Sequence, residues 1–237
     1  MPEGDTIFRV ARTLNEALAG KTVTRFETVL PKLERGQLKG RTIQRVIASG
    51  KNLIIEFSGD LTLRTHLRMN GSWHLYRAGE RWRKRRDDMR LVIATDDFEA
   101  VGFNIPIAEF GDVPPHGPDI LGESFDIDEA AKRFEEHADE EIGSVLVNQR
   151  VIAGIGNIWK SETLFVCGID PFRKTAECDI PLILRKARAL LQRSTRERPR
   201  FAVYERGGQP CRRCGTAIVR RQQNLRSTYW CPKCQPR

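Results

Sequence analysis

Apolar residues recur at helical spacing over residues 6–19, where Ile7, Val10, Ala11, Leu14, Ala17 and Leu18 would share one face. Asp5 or Thr6 is placed to cap this helix and Gly20 to end it. From about residue 22 to 110 the pattern changes to short runs bounded by Gly, Asp and Pro. Residues 22–29, 42–48, 52–57, 61–67, 72–76, 90–95 and 99–110 are the expected strands. Many short strands after one early helix predict a β-sandwich or barrel. Residues 111–122 are rich in Gly and Pro and read as a linker. Helical spacing then returns at about 126–137, 140–147, 158–167 and 179–196, and a Cys-rich module begins near residue 207. The expected organisation is therefore a β-domain at 1–112, a linker at 113–125, a helical domain at 126–206 and a small module at 207–237. Neither an internal repeat nor a low-complexity tract interrupts it.

Composition narrows the partners. A formal net charge of +9 over 237 residues favours polyanions, because neutralising phosphates releases counterions. The start of the chain lacks the basic flank and apolar core of a secretory signal. No apolar run approaches the ~20 residues that span a bilayer. A protein of the cytoplasm with no membrane partner is expected. In that reducing setting the six cysteines do not read as a disulfide framework. The run Arg81-Trp82-Arg83-Lys84-Arg85-Arg86 reads as a solvated hairpin tip in preference to a phosphate-binding patch.

Four cysteines need their own explanation. Cys211-x2-Cys214 and Cys231-x2-Cys234 stand 16 residues apart, and two such knuckles fit one tetrahedral thiolate zinc site. With every position filled by sulfur, the Zn2+ would be structural. Residues 211–237 carry seven basic side chains and no acidic one, so the module also reads as a phosphate reader. Cys167 and Cys178 lie outside the pattern and read as ordinary thiols.

Methionine ahead of a small residue is readily trimmed, which would expose Pro2 as a free secondary amine next to Glu3. An α-amino group titrates near ~8, well below lysine, so much of it can be neutral and nucleophilic. Such an amine can form a Schiff base at a sugar C1′, and a neighbouring carboxyl can protonate the opening sugar.

Five segments in order carry a resemblance: residues 1–6 (Met-Pro-Glu-Gly-Asp-Thr), 49–53 (Ser-Gly-Lys-Asn-Leu), 65–71 (Thr-His-Leu-Arg-Met-Asn-Gly), 148–157 (Asn-Gln-Arg-Val-Ile-Ala-Gly-Ile-Gly-Asn) and 229–235 (Tyr-Trp-Cys-Pro-Lys-Cys-Gln). Together they resemble the formamidopyrimidine-DNA glycosylase/endonuclease VIII family over nearly the whole chain. The Pro-Glu-Gly-Asp-Thr start looks like the endonuclease VIII branch. The resemblance implies an α+β multidomain protein: an N-terminal β-sandwich, a helical helix–two-turn–helix domain and a four-cysteine zinc finger, with damaged DNA between them. It implies Pro2 as nucleophile, Glu3 as the acid at the sugar ring oxygen, and Lys51 as proton donor and phosphate contact. Arg226 would grip phosphate and serve δ-elimination, and Asn157 would bind phosphate, with a helix N-cap as its plainer reading. Met69, flanked by Arg68 and Asn70, matches the loop that fills the void left by a flipped base. Lys160, on the helix opened by Asn157, is expected to face DNA.

Two departures bear on substrate. Residues 101–106 (Val-Gly-Phe-Asn-Ile-Pro) lack the arginine that the formamidopyrimidine branch turns toward the opposite strand, and Pro115-His116 stand where an endonuclease VIII phosphate-binding arginine is common. The expectation is a monomeric, nucleoid-associated glycosylase/AP lyase of base excision repair for oxidised pyrimidines, acting on duplex, bubble or single-stranded DNA. An 8-oxoguanine- or formamidopyrimidine-directed enzyme, a catalytically silent DNA-structure binder and a zinc ribbon fused to an unrelated β-domain are the alternatives. The second of these has no need of Pro2, Glu3 and Lys51 together.

Overall fold

The structure, a computed structural model, describes residues 2–33 and 38–237. The chain divides into two compact units. Pro2 and residues 6–114 belong to the first; Glu3–Asp5 and Pro115–Arg237 belong to the second.

The first unit is a β-sandwich with one helix. Its two antiparallel sheets have the orders β1-β6-β7-β5 and β2-β3-β4-β8. The strands are β1 (Arg25–Thr28), β2 (Ile43–Ser49), β3 (Asn52–Phe57), β4 (Leu61–His66), β5 (Ser72–Arg77), β6 (Met89–Ala94), β7 (Phe98–Phe103) and β8 (Ile107–Phe110). The expected strand 99–110 is in fact two. Asn104 takes a left-handed φ of 50° and Pro106 cannot donate to a ladder, so the chain leaves one sheet and enters the other. Helix α1 (Gly4–Leu18) closes the sandwich, and its Ile7, Ala11, Leu14 and Leu18 join Leu53, Ile55, Phe57, Leu63, Leu91 and Ile93 in one core. It begins earlier than its pattern suggested. Asp5 lies inside its first turn instead of capping it, and that carboxylate accepts from Trp159 Nε1 (2.9 Å) and Ser194 Oγ (2.5 Å).

The second unit holds α2 (Ile127–Lys132), α3 (Ile142–Val145), α4 (Asn157–Cys167) and α5 (Ile180–Ser194), followed by the hairpin β9 (Val219–Gln223) and β10 (Arg226–Trp230). Asp126 and Asp179 cap α2 and α5 by accepting from Glu129 N and Leu182 N, at 2.9 Å each. Part of the expected linker 113–125 packs on the helical domain: Ile120 is fully buried, and Asp119 bridges to Ala153. The expected helix 126–137 breaks after Lys132 into a 3₁₀ turn at Glu135–His137. No helix among the described residues is long and apolar enough to cross a membrane.

Candidate active site and nucleic-acid interface

Helix α4 opens without a side-chain cap of its own. The Glu3 carboxylate supplies one from far away in sequence, accepting from Gly156 N (2.9 Å), Ile158 N (2.8 Å) and Trp159 N (3.2 Å). These amides are among the donors that a helix start leaves without intrahelical partners, and the hydrogen bonds are charge-assisted. Glu3 is fully buried. The approach demands glycine: a Cβ on Gly156 would lie 2.3 Å from Glu3 Cδ, and one on Gly4 would lie 2.9 Å from Gly154 Cα. Gly4 N also donates to Gly154 O at 2.9 Å. Pro2, one peptide bond before Glu3, is thus tethered to a carboxylate whose position the α4 turn fixes.

Asn157 is the first residue of α4 and not its cap, as its plainer reading had it. Its Nδ2 donates to Ser227 O (2.6 Å), while Oδ1 is buried without a hydrogen-bond partner. Asn157 therefore joins the α4 turn to β10, the strand that Arg226 begins. Arg226 itself is exposed. Gln149 shapes the turn from behind: its Nε2 donates to Val147 O and Ile155 O, and its Oε1 accepts from Gly154 N.

Lys160 is not at the surface, contrary to the expectation of a DNA contact. It is 1% exposed, and Nζ donates to Thr228 Oγ1 at 2.6 Å. Thr228 passes the contact to Gln223 Oε1, and Gln223 Nε2 reaches Glu141 Oε2 and Pro171 O. Burial, and then the nearby Arg226 charge, push the Lys160 ammonium down to about 8. The β9–β10 hairpin folds over it.

In the first unit, Lys51 sits in the tight turn between β2 and β3. Asn52 follows it, with Oδ1 accepting from Arg64 Nη1 (3.0 Å), and Arg64 also pairs with Glu109. Asn52 lies opposite His66 in the β3–β4 register. Burial, with Arg68 and Lys51 adding to it, lowers the His66 pKa, which favours neutral imidazole. Arg68, Met69 and Asn70 form the β4–β5 turn, all exposed, with Met69 63% open to solvent. A Cβ on Gly71 would lie 2.6 Å from Leu67 O, so glycine closes this turn.

The four cysteines meet as their spacing predicts. Their sulfurs lie within 4.8 Å of one another, with Cys211–Cys234 at 3.9 Å and Cys214–Cys231 at 3.5 Å. Zn–S bonds of ~2.3 Å in a tetrahedron require edges of ~3.8 Å, so this donor set fits zinc. Two supports escaped the sequence reading. Glu162 accepts from Ala202 N, Val203 N and Tyr204 N (2.7–2.9 Å), fixing the segment that leads into the finger. Gln235 accepts from Cys231 N and donates to Ile169 O, fixing its far end. Both are near-fully buried polar residues, and a lone acid within the apolar stretch of α4 was the available signal. Outside the cluster, burial pushes the Cys167 thiol up to about 11, which leaves it protonated and a poor nucleophile.

Known proteins match along this whole architecture. The N-terminal domain of formamidopyrimidine-DNA glycosylase matches residues 1–105, and the H2TH domain of that enzyme matches 116–199. A zinc finger found in FPG and IleRS matches 208–237. The chain belongs to the formamidopyrimidine-DNA glycosylase/endonuclease VIII family. Among its relatives, a "Probable endonuclease 8 2" of Streptomyces coelicolor is 36% identical over 99% of this chain and 94% of its own length. A "DNA-(apurinic or apyrimidinic site) lyase Nei2" of Mycolicibacterium smegmatis is 36% identical over 99% of both chains. The "Endonuclease 8" of Escherichia coli is 30% identical over 99% of this chain and 100% of its own. The Fpg-like fold also stands out in solved structures. Lactococcus lactis Fpg non-covalently bound to DNA containing an AP site superposes with a TM-score of 0.85 over all of both chains, at 24% identity.

Proposed function

We propose that this endonuclease VIII-like chain is a bifunctional DNA glycosylase and AP lyase that removes oxidised pyrimidines. The carrying observation is the tether of Pro2: its neighbour Glu3 is held by the same α4 turn that Asn157 joins to the strand of Arg226. Relatives named for AP-site lyase and endonuclease 8 support the same reading.

With Met1 trimmed, the Pro2 nitrogen attacks C1′ as the glycosidic bond breaks, and the base leaves with its bonding pair and a proton. The proton that the Pro2 nitrogen sheds on bonding to C1′ passes to the Glu3 carboxylate. The C1′–O4′ bond then opens, O4′ takes that proton from Glu3, and an iminium joins C1′ to Pro2. That iminium acidifies the C2′ hydrogens. Loss of one expels the 3′ phosphate, and loss of the C4′ hydrogen in the conjugated product expels the 5′ phosphate. Lys51 serves as proton donor and phosphate contact, Arg226 grips phosphate and serves the δ-elimination, and Asn157 is a further phosphate contact. Met69 serves as the wedge that replaces the flipped base, with Arg68 and Asn70 beside it. Lys160 is left out of the DNA-contacting set. One zinc ion on the four cysteines is structural. The absence of an arginine in residues 101–106 favours pyrimidine lesions over 8-oxoguanine. A monomer acting on the nucleoid is the setting this reading expects.

Borohydride trapping on an abasic oligonucleotide tests it. The adduct is expected to form with the wild-type chain, to disappear in Pro2→Gly and to survive in Lys51→Ala. Trapping that survives in Pro2→Gly and vanishes in Lys51→Ala would reassign the nucleophile to the lysine. Release of thymine glycol or dihydrouracil in preference to 8-oxoguanine is expected from the intact enzyme.

A further inference from the structure

The connection between β5 and β6, expected as a solvated hairpin tip, does expose its arginines, but it also packs Trp82 against the sheet. The outer face of the β5–β7–β6 sheet carries a second apolar cluster of Tyr76, Val92, Val101, Phe103 and Met89, separate from the sandwich core. Trp82 packs onto it, edge-on to Phe103 with centroids 5.9 Å apart, and its Nε1 donates to Glu99 Oε2. Arg83 N donates to Tyr76 Oη, and Lys84 Nζ donates to Ser72 Oγ at 2.9 Å. The segment therefore folds back as a strap along the sheet, from the end of β5 to its beginning, three residues from Met69.

Anchoring the aromatic side leaves the charges outside. Residues 77–90 hold seven Arg and Lys against three Asp and Glu. Arg81, Arg83, Arg85 and Arg86 are all exposed, and they line an open hollow of ≈ 580 Å³. Arg85 and Arg86 have partners in Asp87 and Glu27, whereas Arg81 and Arg83 have no acidic partner among the described residues. At the strap's inner edge, burial and then the Lys84 and Arg83 charges lower the His74 pKa. Trp82 is not offered for stacking, since Arg86 lies over its ring at 5.4 Å and Phe103 meets its edge. A surface that exposes guanidinium groups and hides its aromatic reads phosphates and not bases.

We infer that the strap at residues 78–88 is a second nucleic-acid site, which binds the sugar–phosphate backbone of the substrate DNA, independently of sequence, beyond the nucleotides gripped at the lesion. The inference rests on the proposed function for the identity of the polyanion. Its place next to the Met69 turn suits a strand that continues away from the flipped nucleotide.

The test uses the full-length zinc-loaded chain and two duplexes carrying a stable abasic analogue, one covering only the lesion and its near neighbours, the other extended on both sides. Arg81→Ala/Arg83→Ala/Arg85→Ala is expected to lose about tenfold or more in affinity for the extended duplex at moderate salt. The slope of log K against log salt should fall by about 2–3, roughly 0.9 for each phosphate no longer neutralised. Affinity for the short duplex and the rate of borohydride trapping at saturating enzyme should stay at wild-type values. Trp82→Ala keeps every charge but releases the anchor, and should weaken binding to the extended duplex in part. An unchanged salt slope in the triple variant, or equal losses on both duplexes, would overturn the strap while leaving the lyase reading intact. A wild-type chain that neither binds these duplexes nor traps would overturn both.

Discussion

At the residue scale, the finger hairpin contains an expensive choice. Its two-residue turn is Asn224-Leu225, with φ of 46° and 62°, and Leu225 is wholly exposed. Asn tolerates the left-handed region and ties itself to Ser144 Oγ at 2.8 Å. Leucine gains nothing there, because its Cβ crowds the following carbonyl and its side chain buries no surface. Leu225→Gly is expected to raise the thermal midpoint by about 2 °C, since relief of strain outweighs the extra chain entropy of glycine. Scanning calorimetry of the zinc-loaded protein reads this directly. An unchanged or lower midpoint would mean that the turn carries no net strain. Glycine at position 156 obeys the opposite logic: it is needed because Glu3 fills the volume a side chain would take.

At the element scale, α4 gathers more than its length suggests. It is capped by Glu3, bonded to β10 through Asn157 and Lys160, and joined through Glu162 to the segment entering the finger. Lys160 makes the pH dependence of this packing explicit. Its pKa falls from 10.5 in the open chain to about 8 in the fold, so between those values the unfolded chain binds more protons and stability rises with pH. Below about 8 both states are charged and the full desolvation cost remains. Lys160→Met is expected to be more stable than wild type at pH 7, by up to about 3 kcal/mol, and to lose that advantage as pH climbs toward about 10. Denaturant titrations across that range check it, and an advantage independent of pH would remove the buried ammonium as its cause. The helical pattern around Asn157 was legible because hydrophobic spacing is local. Whether a lysine on that helix meets water or a threonine depends on a hairpin 68 residues later, which no periodicity encodes. The same limit hid Glu162 and Gln149, which bind backbone groups, and Gln223, which bonds to Thr228, Glu141 and Pro171. It also merged β7 with β8, since a crossing between sheets leaves the apolar run nearly unbroken. The cysteine knuckles were legible because their chemistry depends on short spacings.

At the scale of the whole molecule, stability is divided among separate cores. The sandwich has its own apolar centre, the helices another, and the finger a small one of Phe165, Val203, Cys211, Ile218, Tyr229 and Cys231. So small a core leans on its metal, whose binding energy is folding energy. Removing zinc with a chelator is expected to expose the amides of β9 and β10 to hydrogen exchange and to abolish DNA binding. The amides of β3 and β4 should stay protected. Loss of protection in β3 and β4 as well would show that the finger's order is needed by the sandwich.

The residues that join Glu3 and Gly4 to the turn at 154–159 also limit how such enzymes can be recombined. A chimaera cut at the boundary near residue 114 would take Glu3 from one parent and Gly154, Gly156 and Trp159 from another. The fit there leaves no room for even a methyl group on Gly4 or Gly156. The first five codons and the segment for α4 therefore have to travel together, although 153 positions separate Glu3 from Gly156. In this chain the unit of exchange is a set of touching residues, and a domain cut from the linear map would carry only half of it.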